Sequence, residues 1–195
     1  MDNDVSAGST ATPSVSTLGQ LALGLTLLAF GLGHTQVIDD VTAANAVSIA
    51  TYVGGIALFV AGLLALRSSA GDGFTGTAFA GLGAFRFTWG VSAGDAVSAN
   101  AAGLFLLLFA LLALSLTLGS AGSGTFVRGT YGAMFVALVL LAVAAFGDTE
   151  GLAKVGGWFA AVGGLLAWYG ATASMAKLPT ALPGRAAGRG VTATG

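Results

Sequence analysis

The sequence has no cysteine, which excludes disulfides, thiolate nucleophiles and thiolate metal sites. Charge is almost as scarce. Only 8% of the 195 residues are Asp, Glu, Lys or Arg, whereas 55% are hydrophobic. A soluble domain carries about a quarter charged residues. A chain with this few could not cover a water-facing surface, so its bulk faces lipid. A net charge of −1 provides no basic face, and nucleic acid is excluded as a partner. No apolar run holds a central Asp or Glu, and the single histidine, His34, has no acid and nucleophile set beside it. An enzyme needs such convergent groups. The glycine-rich run "GTAFAGLGAF" lacks the Lys-Ser/Thr end of a nucleotide loop. No enzymatic activity, metal site or cofactor is expected.

What the chain does have is long apolar runs. About twenty such residues cross a bilayer as a helix. Six runs meet that measure: Leu18–Val37, Ala43–Leu66, Phe74–Ala93, Ala101–Leu118, Thr130–Phe146 and Leu152–Met175. The breaks "RSSAGDG", "SAGDAVSAN", "GSAGSG" and "GDTEG" carry turn chemistry. The expected architecture is an all-α integral membrane protein with six transmembrane helices over residues 18–176. Residues 1–17 are polar and lack the basic start of a secretory signal, so they are expected to form a disordered tail. Residues 177–195 are expected to be a flexible cytoplasmic tail.

Basic residues set the orientation. Arg67 and Arg128 lie in the second and fourth breaks, and Lys177, Arg185 and Arg189 in the C-terminal tail. With six spans these fall on one side; only Lys154 lies opposite, where Asp39, Asp40, Asp95, Asp148 and Glu150 collect. The positive-inside rule puts both termini in the cytoplasm of a multi-pass plasma-membrane protein.

Helices in lipid associate through small residues that let backbones approach. Ala57, Ala61 and Ala65 form a stripe at four-residue spacing, and Gly163, Ala167 and Ala171 form another. Gly55 and Gly62, seven apart, share a face. The second and sixth runs share a pattern: Val53, Gly54, Gly55, Val60, Gly62, Leu63, Leu64 and Ala65 recur as Val155, Gly156, Gly157, Val162, Gly164, Leu165, Leu166 and Ala167. Chance, shared packing chemistry and duplication each account for this. The doublets Gly54–Gly55 and Gly156–Gly157 are candidates for bending or unwinding a helix and exposing carbonyls to a pore. The fourth run, Leu104–Leu108 with Phe109, Leu111 and Leu112, is bulky and suits lipid or an oligomer interface.

Arg86 is the one basic residue that topology does not place in a break or tail. It lies about twelve residues into the third run, in its outer half, with Phe79, Leu82, Gly83, Trp89 and Gly90 on its face. An ionisable group inside a span is a functional candidate by default. One reading makes it an anion contact lining a passage, since its planar fork matches a carboxylate. The other has it snorkelling to the outer interface, stacking on Trp89 or pairing with an outer-loop acid. His34 is read as an interface residue, with pH sensing as the alternative.

The stretch Tyr52 to Phe85, "YVGGIALFVAGLLALRSSAGDGFTGTAFAGLGAF", resembles the acetate uptake transporter (succinate–acetate permease) family. The resemblance rests on Tyr52, Gly54, Gly55, Ala61, Gly62, Leu63, Leu64, Phe74, Thr77, Ala78, Phe79, Gly83 and Phe85, with weaker support from "LGQLALGL" and "VGGWFAAVGGLLAWYGATASM", and covers about residues 18–183. It implies a homohexamer in the bilayer, with a pore through each protomer for small carboxylate anions, acetate first and succinate second, and proton coupling. It also implies an apolar constriction, falling here on Leu23, Leu82 and Ala137. The departures are specific. Of the family's N-terminal Asn-Pro-Ala-Pro-Leu-Gly only Leu18 and Gly19 remain. Leu58 replaces a glutamine, Ala65 a glutamate, and Arg86 an aromatic. Another small solute on the same scaffold, or a membrane protein that transports nothing, are the alternatives.

Overall fold

Among the described residues, six helices stand between the turn-rich breaks. A computed structural model describes residues 15–39, 41, 43–67, 73–92 and 97–178, with only the helical backbone described for 43–49 and 51–53. The helices are α1 (Val15–Thr35), α2 (Ala43–Arg67), α3 (Gly73–Ser92), α4 (Ala99–Gly119), α5 (Thr125–Gly147) and α6 (Glu150–Ala176), with a short 3₁₀ turn at Ser120–Gly122. The expected tails therefore lie outside the described residues, except Val15–Thr17 and Lys177–Leu178.

Two starts differ from the sequence expectation by more than two residues. Helix α1 begins at Val15 rather than Leu18, and α5 at Thr125 rather than Thr130. A helix need not stop where its apolar run stops. Thr17 is buried, and Arg128 sits exposed in the first turn of α5 instead of in a loop. The true break before α5 is Gly124, whose φ of +91° is closed to ordinary side chains. Ser98 starts α4, its hydroxyl oxygen accepting the Ala101 N–H at 3.3 Å.

Each helix lies antiparallel beside its neighbours, in the spatial order α3, α2, α1, α6, α5, α4. Their inner faces bury one apolar cluster containing Leu23, Leu27, Phe30, Leu58, Leu82, Phe85, Met134 and Leu138. Outward stand Leu104, Leu107, Leu108 and Leu111 of α4, Ile56, Val60 and Leu63 of α2, and Trp158 and Trp168 of α6.

The seams between helices explain the glycines. Along α1/α6, a methyl group on Gly164 would stand 2.6 Å from the Leu28 backbone nitrogen and 2.8 Å from the Gly24 carbonyl oxygen. One on Gly157 would stand 2.8 Å from the Gly31 carbonyl oxygen. Gly24 and Gly31 of α1 meet Gly164 and Gly157 reciprocally, each pair seven residues apart. The α2/α3 seam repeats the device, with Gly55 and Gly62 facing Gly83 and Ala80.

The doublets do not unwind their helices. Both α2 and α6 run unbroken through them. Adjacent helical residues point about 100° apart, so a doublet serves two neighbours at once. Gly54 meets Thr26 of α1 while Gly55 meets Gly83 and Phe87 of α3; Gly156 meets Leu141 of α5 while Gly157 meets α1. The pattern shared by the second and sixth runs thus has a packing explanation, each helix sitting between two partners. Gly54 and Gly55 are joints between helices and not carbonyl-exposing breaks.

Candidate functional site

Arg86 is buried to 1% exposure in the middle of this bundle. It does not snorkel, and among the described residues no acid pairs with it. Its guanidinium carbon lies 4.6 Å from the centre of the Phe30 ring and 5.4 Å from that of Phe85. Trp89, the expected stacking partner, packs instead on the rings of Phe30, Phe85 and Phe105, at 6.0, 6.3 and 6.0 Å. Stacking on aromatic faces contributes about 2 kcal/mol when water is excluded. It does nothing for the N–H donors at the guanidinium edge. Nε, Nη1 and Nη2 are all buried without a hydrogen-bond partner among the described residues. An arginine carries five N–H donors and keeps its charge in proteins. Leaving such a charge uncompensated costs several kcal/mol, more than the rings return.

The fold holds it there. The Arg86 stem leaves α3 against Gly55 of α2, where an added methyl would lie 3.1 Å from Arg86 Cβ and 2.9 Å from the Phe87 nitrogen. Phe30 arrives from α1 and Phe85 precedes Arg86 in the chain, both fully buried.

A cavity lies at each end of the bundle. At the end carrying Asp148 and Glu150, a space of about 220 Å³ is lined by His34, Trp89, Leu106 and Thr149 as well as those two acids. His34 donates from Nδ1 to the Phe30 carbonyl oxygen at 2.8 Å, and its ring centre stands 4.5 Å from that of Phe30. That bond leaves Nε2 for the cavity. His34 is half-buried within the bundle end, so it is more than the membrane-interface residue expected. At the opposite end a cleft of about 20 Å³ is lined by Gln20, Leu23, Thr130, Tyr131 and Ala167. That is little more than room for one water.

Helix α1 measures the distance between them. From Leu23 in the cleft to His34 in the cavity is eleven residues, about 16 Å at helical rise. Phe30, and with it Arg86, falls between. Leu23, Leu82 and Ala137, the expected constriction, are all within the buried cluster. Leu58, where the related family has a glutamine, is fully buried in it too. Sequence reasoning missed Phe30, the aromatic that caps the guanidinium, and the polar trio Gln20, Thr130 and Tyr131. Phe30 had one visible signal, its place one turn before His34.

Helices α1, α4 with its following turn, α5 and α6 are long and apolar enough to cross a membrane, and α2 is apolar over Gly54–Arg67. An all-helical bundle of this kind defines a multi-pass membrane protein. The profile of the GPR1/FUN34/yaaH family matches residues 4–181. The chain belongs to that family, the acetate transporter family its motifs resemble. The fold is similar to that of the bacterial acetate channel SatP, with a TM-score of 0.76 at 23% identity over 88% of this chain and 98% of that one. The chain is also 27% identical over 171 residues to a "Glyoxylate pathway regulator" of Yarrowia lipolytica, covering 82% of this chain and 63% of that protein's length.

Proposed function

We propose that this protein is a channel or transporter for small monocarboxylates, acetate first, with six spans, both termini in the cytoplasm, and assembly as a homohexamer in the plasma membrane. The observation that carries the reading is a buried arginine with unpartnered donors, set between two end cavities in the fold of an acetate channel. In this reading the cavity of His34 and Trp89 is the outer vestibule. Leu23, Leu82 and Ala137 form the dry constriction toward the cytoplasm, and Arg86 is the carboxylate's contact between them. Selection comes from donors beside an apolar narrowing. At about 20 Å³ the inner cleft is too small for acetate, so the described state is closed and passage requires side chains there to move.

Uptake of labelled acetate into vesicles containing the purified protein, with and without a pH gradient, tests both transport and proton coupling. Arg86→Ala is expected to weaken uptake at least tenfold while leaving folded protein. Undiminished uptake by that variant would remove Arg86 from the pathway. One observation favours a second reading, a different small solute: apolar Leu58 is fully buried where the related family has a polar group. Competition by ammonium or neutral solutes, with none by monocarboxylates, would select it.

A further inference from the structure

Arg86 has a requirement that an intermittent visitor does not meet. Its charge is permanent. Among the described residues its three nitrogens are buried without a hydrogen-bond partner, and no carboxylate neutralises it. Among the described residues, the acids Asp148 and Glu150 line the end cavity, while Phe30 covers the guanidinium from the α1 side. The penalty for an unpaired buried charge therefore applies whenever no carboxylate is passing.

The geometry limits what can relieve it. The rings of Phe30 and Phe85 take the face of the guanidinium, which leaves its edge. Two adjacent N–H groups on that edge hold one halide ion or one carboxylate. Among the described residues the guanidinium itself supplies the permanent charge at this site, the contacts of Arg86 with Phe30, Phe85 and Gly55 are apolar, and the titratable ring of His34 packs on Phe30. A second negative charge on the same ligand would be left buried and unpaired.

We propose that Arg86 is a resident site for one small monovalent anion, halide or monocarboxylate, whose charge completes the folded structure, and that it rejects dianions. A halide holds the site at rest and a carboxylate displaces it. This deepens the monocarboxylate reading, and it sets succinate outside the substrates.

The test uses the full-length protein in detergent, in a buffer whose only anion is bulky and organic. Chloride, bromide, acetate, succinate and sulfate are titrated at matched ionic strength, and thermal unfolding is followed by tryptophan fluorescence. Chloride and acetate are each expected to raise the melting temperature saturably, by roughly 5–10 °C at a hundred times the Kd. The second ion should add nothing once the first has saturated. Succinate and sulfate should give no saturable rise. Arg86→Met should lose the response and, without halide, melt higher than the parent. Should Arg86→Met fail to fold, the parent protein still decides the matter: it should broaden the chloride NMR line saturably, and acetate but not succinate should reverse the broadening. The proposal is overturned by a parent protein indifferent to chloride, by an unchanged response in Arg86→Met, or by succinate matching acetate. Ion binding without acetate uptake would sink the transport reading and leave this site standing; uptake without ion binding would do the reverse.

Discussion

Two kinds of seam hold this bundle together, and they differ in what sets the distance between helices. Along α1/α6 and α2/α3 the backbones meet through glycines, and nothing larger than hydrogen fits at Gly164 or Gly62. Along α3/α4 the backbones stay apart, and side chains fill the gap. Phe85 packs on Phe109 and Phe105 at 4.6 and 5.6 Å, Trp89 lies 6.0 Å from Phe105, and Leu112 sits over Gly81. A backbone contact has one distance. A contact between rings can be remade by rotamers. The rigid α2/α3 seam braces the stem of Arg86, and the adjustable one borders the rings that surround it.

The sharpest way to break this contrast is to fill a glycine seam. Gly164→Val drives methyl groups into the Leu28 and Gly24 backbones and should cost at least about 3 kcal/mol. No monodisperse folded protein is expected on size exclusion. Emptying the aromatic seam should do less. Phe109→Ala leaves a cavity beside Phe85, but Phe109 is only partly buried, so the loss should be about 2–3 kcal/mol, below the range for a fully buried ring. The variant should stay folded with a melting temperature lowered by roughly 4–12 °C. If it is as damaging as Gly164→Val, the two seams are not different in kind. The smallest effect should come from a glycine that belongs to neither. At Gly132 an added methyl meets only Thr117 Cγ2, at an ordinary 3.7 Å. Gly132→Ala should stabilise α5 by about 0.5–1 kcal/mol, visible as a small upward shift in thermal unfolding.

The glycine seams were half legible in the sequence. Gly55 and Gly62 at seven-residue spacing announce a close helix face, and the recurrence of their pattern around Gly157 and Gly164 announces a second. The doublets misled, because one-dimensional spacing does not say that a helix has two neighbours. Helix ends followed the turn residues except where polar or charged residues lay on the first turn, as Ser16, Thr17 and Arg128 do. Arg86 stood out at once as a charge in an apolar run. Its environment was not legible. Whether it snorkels or is sealed depends on Phe30, fifty-six residues earlier in the chain, and only the assembled bundle brings the two together. The expected constriction residues Leu23, Leu82 and Ala137 were assigned by family resemblance. Nothing in their own spacing distinguishes them from ordinary core.

The neighbour order also bears on biogenesis. Helix α2 can zip onto α3 soon after both emerge, since they are consecutive. Helix α1 cannot finish so early: its glycine face is made for α6, which is synthesised after the other five described helices. Until α6 inserts, Gly24 and Gly31 present bare backbone to lipid, and the side of the bundle between α1 and α5 stands open. Closure is therefore a long-range, late event. A chain interrupted before α6 should persist as an unsealed intermediate, which makes the α1/α6 seam a checkpoint on whether α6 has been made.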